Sequence, residues 1–168
     1  MGLPDGVQRY EVLEGTLLVE PLPAGIHQVV RMKLSNALSA VATSDLVVVA
    51  AVGVRLGEHT VFVPDVLVTT RAVALADESG ILDAADVVLV AEIVSPGSRT
   101  VDRVTKPAVY ASAGIASFWR VELEDGPIVS AYRLEGGRYV EVGTARPGEV
   151  LVIDQPFAVT LDPGDLRP

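Results

Sequence analysis

The chain has 168 residues, 49% of them apolar and only 5% aromatic, with a net charge of −9. That length suits one compact domain, and the apolar content supplies a substantial core, so global disorder is excluded. The absence of cysteine rules out disulfides, thiolate metal sites and cysteine nucleophiles.

Tyr10-Glu11-Val12-Leu13 and Thr16-Leu17-Leu18-Val19 flank Glu14-Gly15 and read as a hairpin. Pro21-Leu22-Pro23 breaks that run. A helix fits Gly25 to Ala42, where Ile26, Val29, Val30, Leu34, Ala37, Leu38 and Val41 recur at the spacing of one apolar face. Leu46 to Leu56 reads as a long Val-rich strand bent at Gly53. Thr60 to Thr69 is the next strand pair, or one strand interrupted at Pro64, which cannot donate to a ladder. Arg71 to Ala85 reads as irregular chain or a short helix.

Asp86 to Val94 is apolar without alternation, the pattern of a strand buried on both faces. Ser95-Pro96-Gly97-Ser98 is a loop. A helix from about Thr100 to Ala113 ends at Gly114, a residue suited to the position after a helix. Ser117 to Leu123 is a strand, and Ile128 to Leu134 with Arg138 to Val142 form a hairpin around Gly136-Gly137. Val150 to Ile153 and Phe157 to Leu161 are short closing strands. This order predicts an α/β or α+β domain: a mixed sheet flanked by helices, with a β-rich C-terminal extension.

Two apolar runs end in carboxylates. Val61-Phe62-Val63-Pro64 leads to Asp65, and 27 positions on Val87-Val88-Leu89-Val90-Ala91 leads to Glu92. Side by side, two such strand ends would crowd two carboxylates into one space, which repels itself unless a cation or a shared proton relieves it. A divalent metal bound by oxygen ligands is the natural reliever, and it points to phosphoryl chemistry on a nucleic acid. An acidic chain can bind nucleic acid only through a local basic patch, a metal, or both.

Four pieces in order carry a resemblance: Pro64-Asp65; Glu92 with Ser95-Pro96; Asp102 with Lys106 and Tyr110; and Gly114-Ile115 with Phe118-Trp119. Together they resemble the PD-(D/E)XK nuclease superfamily, and more closely the bacterial Uma-two family of restriction endonuclease-like proteins. Tyr10-Glu11-Val12-Leu13-Glu14-Gly15 and Gly25-Ile26-His27-Gln28 also fit. The likeness spans roughly residues 10 to 165 of one domain covering 1–168.

The resemblance implies a restriction-endonuclease-like core and a metal-dependent endonuclease. Asp65 and Glu92 would be metal ligands, with the backbone carbonyl of Ile93 as a third, for Mg²⁺ or Mn²⁺ as its substitute. A water would be the nucleophile. Glu11 would be an added acidic group near the metal, and His27 a supporting residue. The superfamily places a lysine two residues beyond the second carboxylate, where this chain has Val94. The resemblance offers Lys106 instead, sharing a helix face with Asp102 and Tyr110. Pro107 requires that helix either to start near Arg103 or Val104 or to kink beside the lysine. DNA is the expected substrate and a homodimer the expected state. A separate DNA-recognition partner is a further reading, since the chain carries no helix-turn-helix or zinc finger.

Each residue also has a plainer reading. Asp65 could be a turn residue after proline, Glu92 a structural ion pair, and Lys106 only the helical partner of Asp102. Glu11 could be an exposed strand residue and His27 a cap. Trp119 reads as core. Arg99, Arg103 and Arg120 could line a phosphate path or simply face solvent. The alternative function is a catalytically inactive nuclease-fold module for binding or regulation. No Walker loop, GxGxxG after a strand, nucleophile elbow or helically paired histidines suggests other chemistry. No apolar run reaches the roughly 18 residues of a membrane span. Met1-Gly2-Leu3-Pro4-Asp5 lacks a leader pattern, so a cytoplasmic location is expected.

Overall fold

A computed structural model describes residues 9–20, 23–95 and 99–168. The expected break at Pro21-Leu22 and the loop residues Pro96, Gly97 and Ser98 lie outside the described residues, as does the N-terminal segment 1–8.

Two sheets form the body. Strands β1 (Arg9–Leu13), β2 (Thr16–Glu20), β4 (Gly53–Gly57), β5 (Thr60–Phe62) and β7 (Ile81–Asp83) assemble in the order β2-β1-β5-β4-β7. The second sheet takes β3 (Leu46–Val49), β6 (Val66–Thr70), β8 (Val87–Val94), β9 (Ser117–Glu122), β10 (Ile128–Glu135) and β11 (Arg138–Ala145). Its order is β11-β10-β9-β8-β6-β3. Its β8–β9 pair is parallel, with Glu92 beside Arg120. A parallel pair needs a crossover, and here α3 (Lys106–Ser112) lies within it. A small hairpin, β12 (Leu151–Ile153) with β13 (Val159–Leu161), stands apart. The C-terminal part is β-rich as expected, with β10 and β11 extending the central sheet.

Alternation along the strands sorts the core into two layers. Val66, Val68, Leu89, Ala91, Ile93, Trp119 and Val121 face α1 (Gly25–Val41), which buries Val30, Leu34 and Leu38 against them. The fringe of the expected α1 stripe, Ile26 and Val41, stays exposed. Leu67, Val90 and Phe118 face the other way, toward Val54 and Phe62 of the five-stranded sheet and Tyr110 of α3. Both faces of β8 are covered, as its unbroken apolar run requires.

Three expectations are corrected. The run from Leu46 to Leu56 is two strands, β3 and β4, in different sheets, and the break comes before Gly53, where Ala51 takes a φ of +58°. Strand propensity favours extended backbone without specifying the sheet. Arg71 to Ala85 holds both a short helix, α2 (Arg71–Ala76), and β7, which pairs parallel with β4. The helix around Lys106 neither starts late nor breaks. A π-helical turn at Val101–Thr105 runs directly into α3. The Glu14-Gly15 turn holds, with φ of +48° and +79°, the signs a two-residue hairpin loop demands. Among the described residues, no helix is long and apolar enough to cross a membrane.

Candidate active site

Glu92 lies on β8 with the parity of Val90, so it faces the layer between the sheets and is 0% exposed. Asp65, 2% exposed, ends the Pro64 break just before β6. Its Oδ2 accepts the Ile93 amide at 2.8 Å, tying it to the residue that follows Glu92. Two strand ends thus place Asp65 against the residue that follows Glu92. In a strand, one residue's N–H and C=O leave on the same edge, so the Ile93 carbonyl shares the edge that meets Asp65.

The remaining Asp65 contacts come from both layers. His27 Nε2, from α1, lies 3.1 Å from Oδ2. Arg9 Nη1, from β1, donates to Oδ1 at 2.9 Å. Burial alone would raise this carboxyl. The His27 hydrogen bond, the His27 and Arg9 charges and the Ile93 amide outweigh it and hold Asp65 below the usual range.

Lys106 is also 0% exposed. Its ammonium lies 3.1 Å from Glu11 Oε1, 3.4 Å from Glu92 Oε1, 3.6 Å from Asp102 Oδ1 and 3.9 Å from Glu20 Oε1. Burial would lower its pKa, but Glu92 and Glu11 raise it above the ordinary lysine range, so the group stays charged. Glu92 has the opposite balance. Burial pushes it up to about 8, with Asp65 and Asp102 adding to the rise and Lys106 opposing it. The Tyr110 hydroxyl donates to Glu92 Oε1 at 2.5 Å, and burial beside that acid keeps the phenol protonated. Tyr110 is itself fixed edge-to-face against Phe62, centroids 5.8 Å apart.

The π turn leads directly into Lys106. A proline ring clashes with the carbonyl four residues back and offers no N–H. The wider turn sends the Lys106 N–H to the Val101 carbonyl instead. Val94, where the superfamily carries lysine, is buried in β8.

Glu11 is buried rather than exposed. Its Oε1 accepts the Val63 amide at 2.8 Å, and its Oε2 is buried without a hydrogen-bond partner. Burial raises it, with Lys106 opposing. Sequence reading missed Arg9 and Glu20. They sit opposite each other in the β1–β2 register, and Arg9 Nε donates to Glu20 Oε2 at 3.0 Å. The available signal was alternation: Arg9 shares the strand face of Glu11, two residues on. The farther basic groups are paired. Arg103 forks onto Glu122 at 2.9 and 2.8 Å, Arg120 Nε lies 3.1 Å from the same acid, and Arg99 meets Glu124 at 2.8 Å. Trp119 packs in the core at 1% exposed.

Glu11, Glu20, Asp65, Glu92 and Asp102 thus surround two permanent cations, Arg9 and Lys106. Among the described residues, no group of three or more His, Asp or Glu side chains is arranged to hold a metal ion. A set of two carboxylates, one carbonyl, waters and a phosphate would still suit Mg²⁺. The excess of acid and the buried, unpartnered Glu11 Oε2 are the features that a divalent cation would relieve.

A family model described as a putative restriction endonuclease, Uma2, matches residues 3–164. The chain belongs to the Uma2 family. That match takes in β1 through β13 and every residue of the cluster. Among solved structures, a putative nuclease belonging to DUF820 from Anabaena variabilis ATCC 29413 is similar at 20% identity. The TM-score is 0.77, over 98% of this chain and 92% of that one. At that identity the likeness speaks to fold, and the Uma2 chain has the restriction-endonuclease-like architecture expected from its sequence. No curated protein matches it.

Proposed function

We propose that this Uma2 chain is a metal-dependent endonuclease that hydrolyses phosphodiester bonds in nucleic acid, with DNA as the substrate and a homodimer as the working form. The observation that supports it most is the buried Lys106 ammonium, set among acids next to the Asp65–Ile93 junction. Burying these charges desolvates the ammonium and its carboxylates alike, a cost that an ion pair at the surface avoids.

In this reading Asp65, Glu92 and the Ile93 carbonyl hold Mg²⁺, or Mn²⁺ in its place. The bound ion would supply charge neutralisation at the phosphate and a more acidic water. Lys106 keeps its proton, so it acts as a donor and not as a base. It orients the attacking water or neutralises the phosphate oxygens as the P–O bond to the leaving oxygen breaks. Tyr110 fixes the Glu92 carboxyl through Oε1, and His27 fixes Asp65 through Oδ2. Two copies related by a two-fold axis would place one such site on each strand of a duplex.

One feature favours the inactive-module alternative: Asp65 and Glu92 are both already engaged by protein cations or donors. A cleavage assay separates the readings. Supercoiled DNA with Mg²⁺ or Mn²⁺ should be nicked by the wild type, and Asp65→Asn and Glu92→Gln should each lose about 100-fold or more, the scale of losing a key transition-state interaction. Equal nicking by all three would remove this site from the reaction. Calorimetry with Mn²⁺ should show binding that Glu92→Gln abolishes, whereas no wild-type binding at millimolar metal favours the module.

A further inference from the structure

The metal reading leaves Arg9 unexplained, and its contacts make it hard to dismiss as a surface residue. Asp65 Oδ2 is filled by the Ile93 amide and His27. Only Oδ1 remains to meet an incoming cation, and Arg9 Nη1 donates to it at 2.9 Å. The same guanidinium is anchored at its other edge, where Nε, at 3.0 Å, and Nη2 both donate to Glu20 Oε2. Its side chain is 21% exposed and that of Glu20 16%, so this edge of the site faces solvent. Asp65 behind it is closed.

Resting on the metal-dependent reading, we infer that Arg9 holds Asp65 in place of the metal and moves to the substrate phosphate when a divalent ion arrives. A guanidinium and a divalent cation on one carboxylate oxygen repel each other, so binding of the second displaces the first. Glu20 serves as the pivot. It keeps the Nε and Nη2 edge, and Nη1, released from the carboxylate, donates instead to a phosphate oxygen. Arg9 is thus an internal competitor of the metal and a phosphate-binding arm of the loaded enzyme.

The test titrates Mn²⁺ calorimetrically into the full chain as wild type, Arg9→Met and Arg9→Lys. Alongside it, anisotropy follows a short labelled DNA duplex in Ca²⁺. Arg9→Met should bind Mn²⁺ about tenfold more tightly, the scale of one charge-assisted hydrogen bond released. It should also bind the duplex about tenfold more weakly. A merely structural arginine predicts weaker binding of both. Arg9→Lys should fall between, since it keeps the charge without the fork, and it carries the test if the methionine variant does not fold. Wild-type Mn²⁺ binding that neither variant tightens, or duplex affinity that neither weakens, overturns the role of Arg9 and leaves the metal site standing. No Mn²⁺ binding by any form at millimolar metal overturns the metal reading and this inference with it.

Discussion

Glu92 and Asp65 are neighbours whose environments push them in opposite directions, and the difference has a pH signature. Glu92 rises from the usual 4.5 to about 8 chiefly because burial disfavours its charge. The folded chain therefore holds that proton more tightly than the unfolded chain does. The associated stability is complete below about 4.5 and is lost as pH rises through about 8. Asp65 works the other way: its contribution is present above 3.8 and disappears only as pH falls through its lowered value. Lys106 stays charged across the whole interval. Metal-free protein should therefore melt at a lower temperature at pH 9 than at pH 6, by on the order of 5 °C, and Glu92→Gln should flatten that slope. Calorimetric melts in a chelator check it, and a wild-type slope that the glutamine variant reproduces would locate the titration elsewhere. Asp65 and Glu92 were legible in the sequence because a carboxylate ending an apolar run conflicts with its surroundings. Arg9 and Glu20 conflict with nothing locally. Their role depends on which face of a hairpin meets the site, and that follows only once β1 pairs with β5 through Val12 and Val61.

The helix carrying Lys106 shows why element boundaries resisted the sequence. Gly114 marked its end, and the φ there is +83°. Pro107 posed a choice between a late start and a kink, whereas the chain uses a π turn. Such turns hold one extra residue per turn and recur where a side chain must be aimed. Replacing the proline tests the link between that turn and the site. In Pro107→Ala the restored N–H can bond to the Arg103 carbonyl, closing the turn into regular α-helix and changing the phase of Asp102 relative to Lys106 by about 100°. Stability against urea should stay level or rise, by up to about 3 kcal/mol, while nicking of supercoiled DNA falls about tenfold. Loss of activity with stability retained is the expected pattern, and unchanged nicking would free Lys106 from dependence on the turn. The same limit explains the run from Leu46 to Leu56. Valine content foretold extended backbone throughout, but whether one strand serves one sheet or two depends on the packing of layers far away in sequence.

At the scale of the molecule, the problem is how a chain of net charge −9 approaches a polyanion. Much of its basic surface is neutralised internally: Arg55 pairs with Asp83, Arg99 with Glu124 and Arg133 with Glu135. Glu122 is the most consequential partner, since it holds both Arg103 and Arg120. Arg120 lies directly beside Glu92 in the β8–β9 register and shares the strand face of Phe118, with its guanidinium 5.4 Å from the Tyr132 ring centre. Arg103 belongs to the π turn just before Lys106. Glu122 therefore occupies two cations at the edge of the proposed site, and affinity for DNA should rest on the divalent ion more than on basic surface. Glu122→Gln removes one negative charge and releases both arginines while keeping the side-chain volume. Its duplex affinity in Ca²⁺ should rise about three- to tenfold, and the plot of log affinity against log salt should steepen by about one to two phosphate contacts. Because Glu122 is only 16% exposed and accepts two bonds from Arg103, stability should fall by about 1–3 kcal/mol, the range of charge-assisted hydrogen bonds. Anisotropy across a salt series measures both terms. An unchanged slope would show that Arg103 and Arg120 face away from the bound strand, and the path of the nucleic acid would then lie on the Arg9 side of the cluster.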